Sequence, residues 1–338
     1  MRLSLYLAAS ATALILLFFY SLTIGIAHMS PLDALTAASS QGPEGLIARL
    51  RLARAVTAVA VGAALAAAGA ALQSALRNPL ASPFTLGIPQ AAAVGVALAL
   101  FLGGAGAIYR SFVTVSNPYF VISMAFTAAF SNALLVLLLA SMGGFSLSAI
   151  ILAMIAVSSI YQAVLALLQY LFLNDIQTAA VVFWTFGDVG RPNLAESYLL
   201  LAVSAATLAY FWIRSVDFNL MAAGDEIAKA SGVSPRRLRL ETLLASSASV
   251  AVLVSFTGVI GFVGLAAPNM ARLAVGGDHK ALFPASALTG SWLLLAADVV
   301  GRLAKPPVII PVGITMSFIG SLWIIALLLQ ARRRGETW

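Results

Sequence analysis

The chain has 338 residues, of which 61% are hydrophobic and 9% charged, and its mean hydropathy is +1.00; so few polar side chains exclude a soluble globular protein. The lack of cysteine excludes disulfides, thiolate zinc sites and thiol catalysis. The net charge of +7 indicates membrane topology rather than nucleic-acid binding, since basic residues collect in the cytoplasmic loops of membrane proteins.

Long apolar stretches predict one polytopic domain over residues 1–338. A membrane-spanning helix needs about 20 apolar residues. Stretches near that length occur at residues 3–27, 55–76, 90–108, 118–140, 149–173, 195–213, 241–258, 259–274, 282–302 and 311–330. The first exceeds the roughly 7–15 residues of a signal-peptide core, so we expect a retained helix there. The predicted fold class is an all-α membrane bundle of about ten transmembrane helices.

The distribution of basic residues predicts the side of the membrane that each loop occupies. Ten spans put both termini on one side, and Arg2 together with residues 332–334, all arginine, assigns that side to the cytoplasm. With this topology, twelve of the 19 lysines and arginines are cytoplasmic and seven are external. We therefore expect a multi-pass protein of the cell membrane with both termini in the cytoplasm.

The stretch RLRLARAV opposes that rule, because it puts Arg49, Arg51 and Arg54 at the outer entrance of the second span. One interpretation is that these side chains extend to the membrane interface, as long basic side chains at helix ends do. Another is a basic patch that meets an acidic partner. The residues alone leave both interpretations open.

Two proline-rich segments interrupt the helical pattern: RNPLASPFTLGIPQ after the second span and AKPPVIIPVG before the last. Irregular backbone at membrane depth is tolerated only where protein covers it or where it lines a water-filled cavity. The segments are therefore either loops or parts of a path through the membrane.

The segment GDEIAKASGVSPRRLRLE, between the sixth and seventh spans, gathers charge that the rest of the chain avoids. Its pattern predicts a short helix over residues 220–231, with acidic residues at its start and a lysine near its end. Gly232 supplies a helix stop, and Ser234 with Pro235 begins the next helix. We expect an ordered cytoplasmic elbow at residues 218–239; a solvated loop is the alternative.

Several chemistries are missing. No phosphate-binding loop or hydrolase motif occurs, so we expect no enzymatic activity, and the elbow suggests a docking surface for a separate ATPase. His28 and His279 stand apart in the sequence, so we predict no metal site. Only Asp298 approaches the interior of a span, whereas ion-coupled carriers normally need intramembrane ionisable groups. An ion-coupled secondary transporter, a membrane enzyme and a non-transporting scaffold are the weaker alternatives.

Four blocks of the sequence resemble the permease family of ATP-binding-cassette importers for vitamin B12, haem and ferric siderophores. RLARAV with VGAALAAAGAALQSALRNPLASPFTLGI resembles the second and third spans of that family, and GDEIAKASGV resembles its cytoplasmic coupling loop. GFVGLAAPNMARLAVGGDHKALFPASALTGSWLLLAADVVGRL and PVGITMSFIG resemble its last three spans. The blocks occur in the order of the family, and the resemblance covers nearly the whole chain.

The resemblance implies the permease subunit of an ATP-driven importer, with a fold like that of the vitamin B12 importer permease. Such a subunit pairs with an identical copy and is driven by two ATP-binding-cassette ATPase subunits that use ATP and magnesium. It receives a metal chelate from an extracytoplasmic binding protein, and it holds no cofactor of its own. The cargo class covers iron-siderophores, haem and vitamin B12, among which the sequence does not choose.

The resemblance also implies a coupling motif in the elbow. In the family, this loop holds the helices that dock on the ATPase. The residues that match the motif are Gly224, Asp225, Glu226, Ala228 and Gly232. We expect them to form the contact with the ATPase subunit.

Two further sets of residues match functional positions of the family. Outer arginines that meet glutamates of the binding protein correspond to Arg51, Arg54 and Arg302. The cytoplasmic gate at the entrance to the fifth span corresponds to Leu147 and Ser148. The family often has two small hydroxyl residues at the gate, so the leucine departs from its pattern.

Overall fold

The computed structural model describes residues 2–25, 29–103, 105–109, 112–115 and 117–334. Within these ranges the chain is mainly helical. The helices are α1 (Arg2–Thr23), α2 (Pro31–Ala37), α3 (Pro43–Ala75), α4 (Ile88–Leu102), α5 (Pro118–Met142), α6 (Leu147–Leu171), α7 (Asp175–Thr185), α8 (Leu194–Ile213), α9 (Ser215–Ala223), α10 (Asp225–Ala230), α11 (Pro235–Thr257), α12 (Val263–Val275), α13 (His279–Leu303) and α14 (Val312–Arg334). A 3₁₀ turn at Pro83–Leu86 precedes α4, and an antiparallel hairpin of β1 (Ala105–Tyr109) and β2 (Phe112–Val115) follows it.

The predicted all-α bundle of about ten spans is confirmed. Each predicted apolar stretch corresponds to one helix, namely α1, α3, α4, α5, α6, α8, α11, α12, α13 and α14. Among the described residues, seven helices are long and apolar enough to cross a membrane, and α4 and the segment Val312–Ala326 of α14 are shorter apolar helices. The hairpin β1–β2 is a small addition to this helical architecture.

The predicted start of the second span is wrong. Helix α3 begins at Pro43 rather than at residue 55, and it runs for 33 residues. Proline suits the first helical turn, where its missing N–H group is not needed, and no further proline follows until the helix has ended. The arginine-rich stretch therefore lies inside α3 rather than at its entrance.

Three other predictions differ from the structure. Helix α4 ends at Leu102, and β1 occupies the last part of the predicted third span. Helix α7 was not predicted, although Asn174 and Gln177 form a capping box at its start. The single helix predicted over residues 220–231 is divided into α9 and α10 at Gly224, whose φ of +132° is readily adopted only by glycine.

Helices α3 and α13 form the centre of the bundle. The apolar window of α3 is 83% buried inside the chain and that of α13 is 72% buried, compared with 6% for α1. The two backbones touch at Gly62 and Gly290, where a Cβ atom on either residue would overlap the carbonyl group of the other. Small residues allow this close approach between helices in lipid. The backbones of α3 and α13 are therefore in direct contact at the centre of the fold.

Candidate functional site

Four charged side chains meet at one end of the α3–α13 pair: Arg54, Asp188, Asp298 and Arg302. We call them the outer ion network, because the topology predicted from the sequence puts this end outside the cell. The Nε atom of Arg54 lies 2.7 Å from Oδ1 of Asp298, and its Nη2 atom lies 2.8 Å from Oδ1 of Asp188. The Nε atom of Arg302 lies 3.0 Å from Oδ2 of Asp298. The Asp298 side chain has no exposed surface, so its charge is stabilised by the two arginines that face it.

Arg51 and Arg302 also hold the end of α1. Nη1 of Arg51 donates a hydrogen bond to the carbonyl of Leu22 at 2.9 Å, and Nη1 of Arg302 donates to that of Ser21 at 2.8 Å. These carbonyls belong to the last turn of α1. Carbonyl groups there have no hydrogen-bond partner within the helix and carry the negative end of the helix dipole. The arginines therefore join α1 to the α3–α13 pair.

The three arginines predicted to meet a binding protein lie in these buried contacts. The exposed fraction is 11% for the Arg54 side chain, 8% for that of Arg302 and 9% for Arg51. Asp188 is the most accessible member of the network at 29%. The sequence analysis missed Asp188, and it also overlooked that Asp298 and Arg302 stand four residues apart on one helix, a spacing that favours ion pairs. The docking role of the arginines stays a prediction.

The elbow predicted at residues 218–239 lies at the other end of the α3–α13 pair and covers most of α9, all of α10 and the first turn of α11; we keep the name coupling elbow for these elements, and the coupling role stays a prediction. Helix α10 begins with two acidic residues, where the helix dipole stabilises negative charge. Gly232 follows it with a φ of +84°. The N–H of Val233 bonds to the carbonyl of Ala228 at 2.9 Å, and the N–H of Gly232 bonds to that of Lys229 at 3.0 Å. These two bonds form a Schellman cap, which favours glycine at the left-handed position.

The elbow is ordered by local contacts and still presents charge to the outside. Ser234 caps α11 by accepting a hydrogen bond from the third residue of that helix, and Pro235 occupies its first position, as predicted. On α10, Ala228 is buried, while Glu226 and Lys229 form an ion pair of 2.9 Å with side chains 87% and 59% exposed. The elbow therefore has a packed side and a charged, exposed side.

The predicted gate residues directly follow a turn at residues 143–146, which faces the elbow and which we call the gate turn. Leu147 and Ser148 are the first two residues of α6, and Ser146 caps that helix. Phe145 is buried, and its ring centre lies 5.5 Å from the guanidinium carbon of Arg236 on α11, within range of a cation–π attraction. The gate turn and the elbow face each other across a cleft of about 510 Å³. The assignment of the gate itself stays a prediction.

Interrupted helices surround a cavity of about 610 Å³. It lies between the 3₁₀ turn, the end of α7, the break between α11 and α12, and the start of α14. Its wall combines aromatic and hydroxyl side chains, among them Phe84, Phe186, Phe262, Phe318, Ser82, Thr185, Ser317 and Ser321. Each of the two proline-rich segments contributes to this wall, the first through Ser82 and the second through Gly313.

The sequence is similar to those of known proteins over nearly the whole length of the chain. The sequence pattern of the FecCD transport family matches residues 13–330. The vitamin B12 import system permease protein BtuC of Escherichia coli is 32% identical over 97% of this chain and 96% of its own length. The hemin transport system permease protein HmuU of Yersinia pestis is 31% identical over 84% of this chain and 83% of its own length. A protein of Methanocaldococcus jannaschii that is named as an ABC transporter permease is 41% identical over 93% of this chain and 91% of its length.

The fold is also similar to that of a solved structure. A transporter described as being of the metal-chelate ABC type, in an inward-facing conformation, superposes with a TM-score of 0.82 at 28% identity. The superposition covers 97% of this chain and 99% of the other. The family match over residues 13–330 includes the outer ion network, the cavity, the gate turn and the coupling elbow.

Proposed function

The chain belongs to the FecCD transport family, and on that basis we propose that it is the permease subunit of an ATP-driven importer that carries a metal chelate across the cell membrane. The observation that carries this proposal is the family match, which covers residues 13–330 and so every element of the candidate site. Relatives of the chain include permeases named for hemin, iron(3+)-hydroxamate and vitamin B12 import. Each of these cargoes is a metal ion enclosed by an organic ligand.

Energy for transport enters through the coupling elbow. The chain has no phosphate-binding loop, so ATP and magnesium act in two separate ATP-binding-cassette subunits. Ile227 is 51% exposed on α10, between the exposed charges of Glu226 and Lys229. An exposed apolar side chain that is flanked by charged residues on an ordered helix suits a protein–protein interface, in which an apolar core is surrounded by a polar rim. The glycines on both sides of α10 set its position, and the buried Ala228 anchors it.

The outer ion network receives the binding protein. Arg51 lies beside the network, so three arginines gather at this end of the bundle. Their positive charge would attract acidic side chains of a docking partner and fix its orientation. Asp188 is the most accessible carboxylate, so an incoming carboxylate competes with it for Arg54.

The cargo path runs beside the cavity, between two identical copies of the chain with their termini in the cytoplasm. The phenylalanines of the cavity suit the organic surface of a chelate, and its hydroxyl groups hold that surface weakly. The metal stays enclosed by its own ligand, because the chain has no cysteine and two histidines. Leu147 and Ser148 close the cytoplasmic end of the path.

An ion-coupled secondary transporter is the alternative. Such a carrier needs an ionisable group that exchanges a proton or a cation with an aqueous path. Asp298 is buried in a span, but its two carboxylate oxygens face arginine nitrogens at 2.7 and 3.0 Å. These two positive charges oppose cation binding at Asp298.

The complex purified from its native membrane tests the proposal. We expect ATPase subunits and a binding protein to co-purify, and the reconstituted complex to import the chelate delivered by that protein. Uptake should stop when the phosphate-loop lysine of the ATPase is replaced. Uptake that continues with this variant, and stops instead when the proton or sodium gradient collapses, would favour the secondary transporter.

The docking role is tested separately. Arg54→Gln should weaken capture of the binding protein, and the loss should be largest at low ionic strength, where charges are least screened. Arg49→Gln is a matched control on the same helix, because Arg49 bonds to the carbonyls of Ala38 and Ser40 outside the network. Equal affinities of the two variants at low salt would place the docking surface elsewhere.

A further inference from the structure

We propose that His279 and Arg239 are positioning residues that fasten the two helices of the elbow, α9 and α10, to the cytoplasmic end of α3. Through these links, movement of the elbow passes to the centre of the bundle. The inference rests on the proposed function, since α9 and α10 act as coupling helices only if an ATPase docks on them. Both side chains are buried, and neither belongs to the predicted coupling motif.

His279 links α9 to α3. It is fully buried at the start of α13, and its Nδ1 atom lies 2.7 Å from Oδ1 of Asn219 on α9. An amide oxygen can only accept, so Nδ1 carries the proton. Nε2 contacts Oγ of Ser74 on α3, whose single hydroxyl hydrogen is shared between Nε2 and the carbonyl of Ala70. Nδ2 of Asn219 donates a hydrogen bond to the carboxylate of Asp278 at 2.8 Å. Oδ1 of Asn219 accepts one from the backbone N–H of His279 at 2.9 Å. The amide is therefore held in the orientation that the histidine needs.

Arg239 links α10 to the same end of α3. It lies on α11, is 4% exposed, and donates from Nε to the carbonyl of Ala75 at 3.1 Å. Its Nη2 atom lies 2.8 and 2.9 Å from the two carboxylate oxygens of Asp225, the first residue of α10. The carbonyl of Ala75 stands at the end of α3, where helical partners are lacking. One planar guanidinium thus joins three helices, a geometry that a lysine with a single nitrogen cannot reproduce.

Both links end on the same turn of α3, because Ser74 and Ala75 are adjacent. Arg54 lies 20 residues earlier on that helix, which corresponds to about 30 Å at 1.5 Å per residue. Helix α13 begins at His279, runs beside α3 with backbones in contact, and carries two members of the outer ion network. The α3–α13 pair therefore connects the elbow links at one end with the ion network at the other.

These links set how well ATP hydrolysis is coupled to transport. With the links in place, α9, α10 and α3 move as one body when the ATPase moves the elbow. Without them, the exposed side of the elbow can follow the ATPase while the α3–α13 pair stays where it is. ATP is then hydrolysed with little transport. The quantity to measure is therefore the amount of chelate imported per ATP hydrolysed.

The main experiment compares two arginines in proteoliposomes that hold the permease, its ATPase subunits and the binding protein. Arg239→Lys keeps the charge and loses at least one of the two links that Arg239 makes. Arg49→Lys is the matched control, because Arg49 lies on α3 outside the elbow and bonds to the carbonyls of Ala38 and Ser40. We expect Arg239→Lys to retain the ATPase subunits and their hydrolysis while import per ATP falls on the order of fivefold, as for one lost hydrogen bond. The control should equal the wild type.

Two substitutions of His279 separate its two hydrogen bonds. The side-chain amide of His279→Asn reaches the position of Nδ1 and keeps the bond to Asn219, and that of His279→Gln reaches the position of Nε2 and keeps the bond to Ser74. Each should lower import per ATP. Adding Ser74→Ala should lower it further in the glutamine variant and have little effect in the asparagine variant, which has already lost that bond.

Wild-type import per ATP in Arg239→Lys and in both His279 variants would overturn the proposal. Loss of the ATPase subunits together with import would also overturn it, since the residues would then only shape the docking surface. Failure of the proposed function gives a different result: the wild-type complex would lack ATPase subunits or would import without hydrolysing ATP.

A distance measurement tests the links even where a variant imports poorly. The chain has no cysteine, so spin labels attach only at introduced sites, namely Ser231→Cys after α10 and Leu80→Cys beyond α3, both at exposed positions. In the complex, the distance between the labels should be the same with and without ATP. In the Arg239→Lys complex, that distance should change with nucleotide, or its distribution should become broader. A nucleotide-dependent distance in the complex with native Arg239, or an unchanged one in the Arg239→Lys complex, would overturn the proposal.

Discussion

The outer ion network and the coupling elbow are both built from charged residues, but they differ in burial. In the network, the Asp298 side chain is 0% exposed and that of Arg54 is 11% exposed. On the elbow, the corresponding values are 87% for Glu226 and 59% for Lys229. A buried ion pair cannot lose one partner without leaving an uncompensated charge, whereas an exposed pair exchanges its partner for water. Removing a charge from the network therefore destabilises the chain itself, whereas charge on the elbow is available to another protein without such a loss.

The largest expected effect on stability comes from a substitution at the centre of the outer ion network. Asp298→Ala leaves Arg54 and Arg302 facing each other in a buried site, so we expect a loss of about 3–5 kcal/mol in stability. Thermal unfolding of the detergent-solubilised chain, followed by tryptophan fluorescence, measures it. Asp188→Ala is the control at the accessible edge, where Arg54 keeps Asp298 and the loss should be about 1 kcal/mol. Equal losses would show that burial does not distinguish the two carboxylates.

On the elbow, the largest effect on ATPase binding should come from a substitution that strains the backbone at Gly232. Gly232→Val forces a β-branched residue to a φ of +84°, at a cost of about 1–2 kcal/mol. No atom lies within 4 Å of the added Cβ, so the cost is conformational strain and not a clash. We expect fewer ATPase subunits to co-purify with the variant.

Gly276→Val is the matched control for this strain. Gly276 has a φ of +85° and equally open surroundings, but it follows α12 and lies outside the elbow. Its ψ of −165° lies in a region that is essentially restricted to glycine, so the variant should carry at least as much strain and still leave the co-purified ATPase unchanged. If both variants lose the ATPase equally, the loss reflects general instability and not the shape of the elbow.

A smaller effect is expected at Asp278, which caps α13 beside the elbow. Its carboxylate accepts hydrogen bonds from the Asn219 side chain and the Lys280 N–H, and these lower its pKa below the ordinary value of 3.8. Asp278→Ala should cost about 1 kcal/mol at pH 7 through loss of the cap.

The lowered pKa predicts how that cost depends on pH. Above about pH 5, well beyond the ordinary pKa of 3.8, the carboxylate is ionised in both the folded and the unfolded chain, so its contribution is fully present. As pH falls through the lowered folded pKa, the contribution is lost. The difference in melting temperature between wild type and Asp278→Ala should therefore persist at pH 5 and shrink only in stronger acid. A difference that has vanished at pH 5 would contradict the assigned shift.

The smallest effect is expected at the exposed ion pair of the elbow. Lys229→Gln should leave the melting temperature of the isolated chain unchanged, because water replaces the lost partner of Glu226. Arg237→Gln, a second exposed elbow residue, should behave in the same way. A clear fall in melting temperature for either variant would mean that elbow charge stabilises the chain as network charge does.

The sequence analysis succeeded where the controlling forces are local. The glycine stop at Gly232 and the start of α11 at Ser234 and Pro235 occur as predicted, since caps depend on hydrogen bonds between near neighbours. The start of α3 was misplaced because arginines were taken to mark the membrane interface. The break at Gly224 was missed because glycine permits a break without requiring one.

By itself, the sequence determined the helical spans and the ordered elbow. An apolar run of about 20 residues has few alternatives to a helix in lipid, where every backbone group needs a partner. Only the tertiary structure decided which charges are buried. Arg54 bonds to Asp298 across 244 positions of the chain, and Arg239 bonds to Ala75 across 164. Such pairs form because helices that are distant in the sequence pack together. The spacing of residues within one helix does not reveal which other helix it packs against.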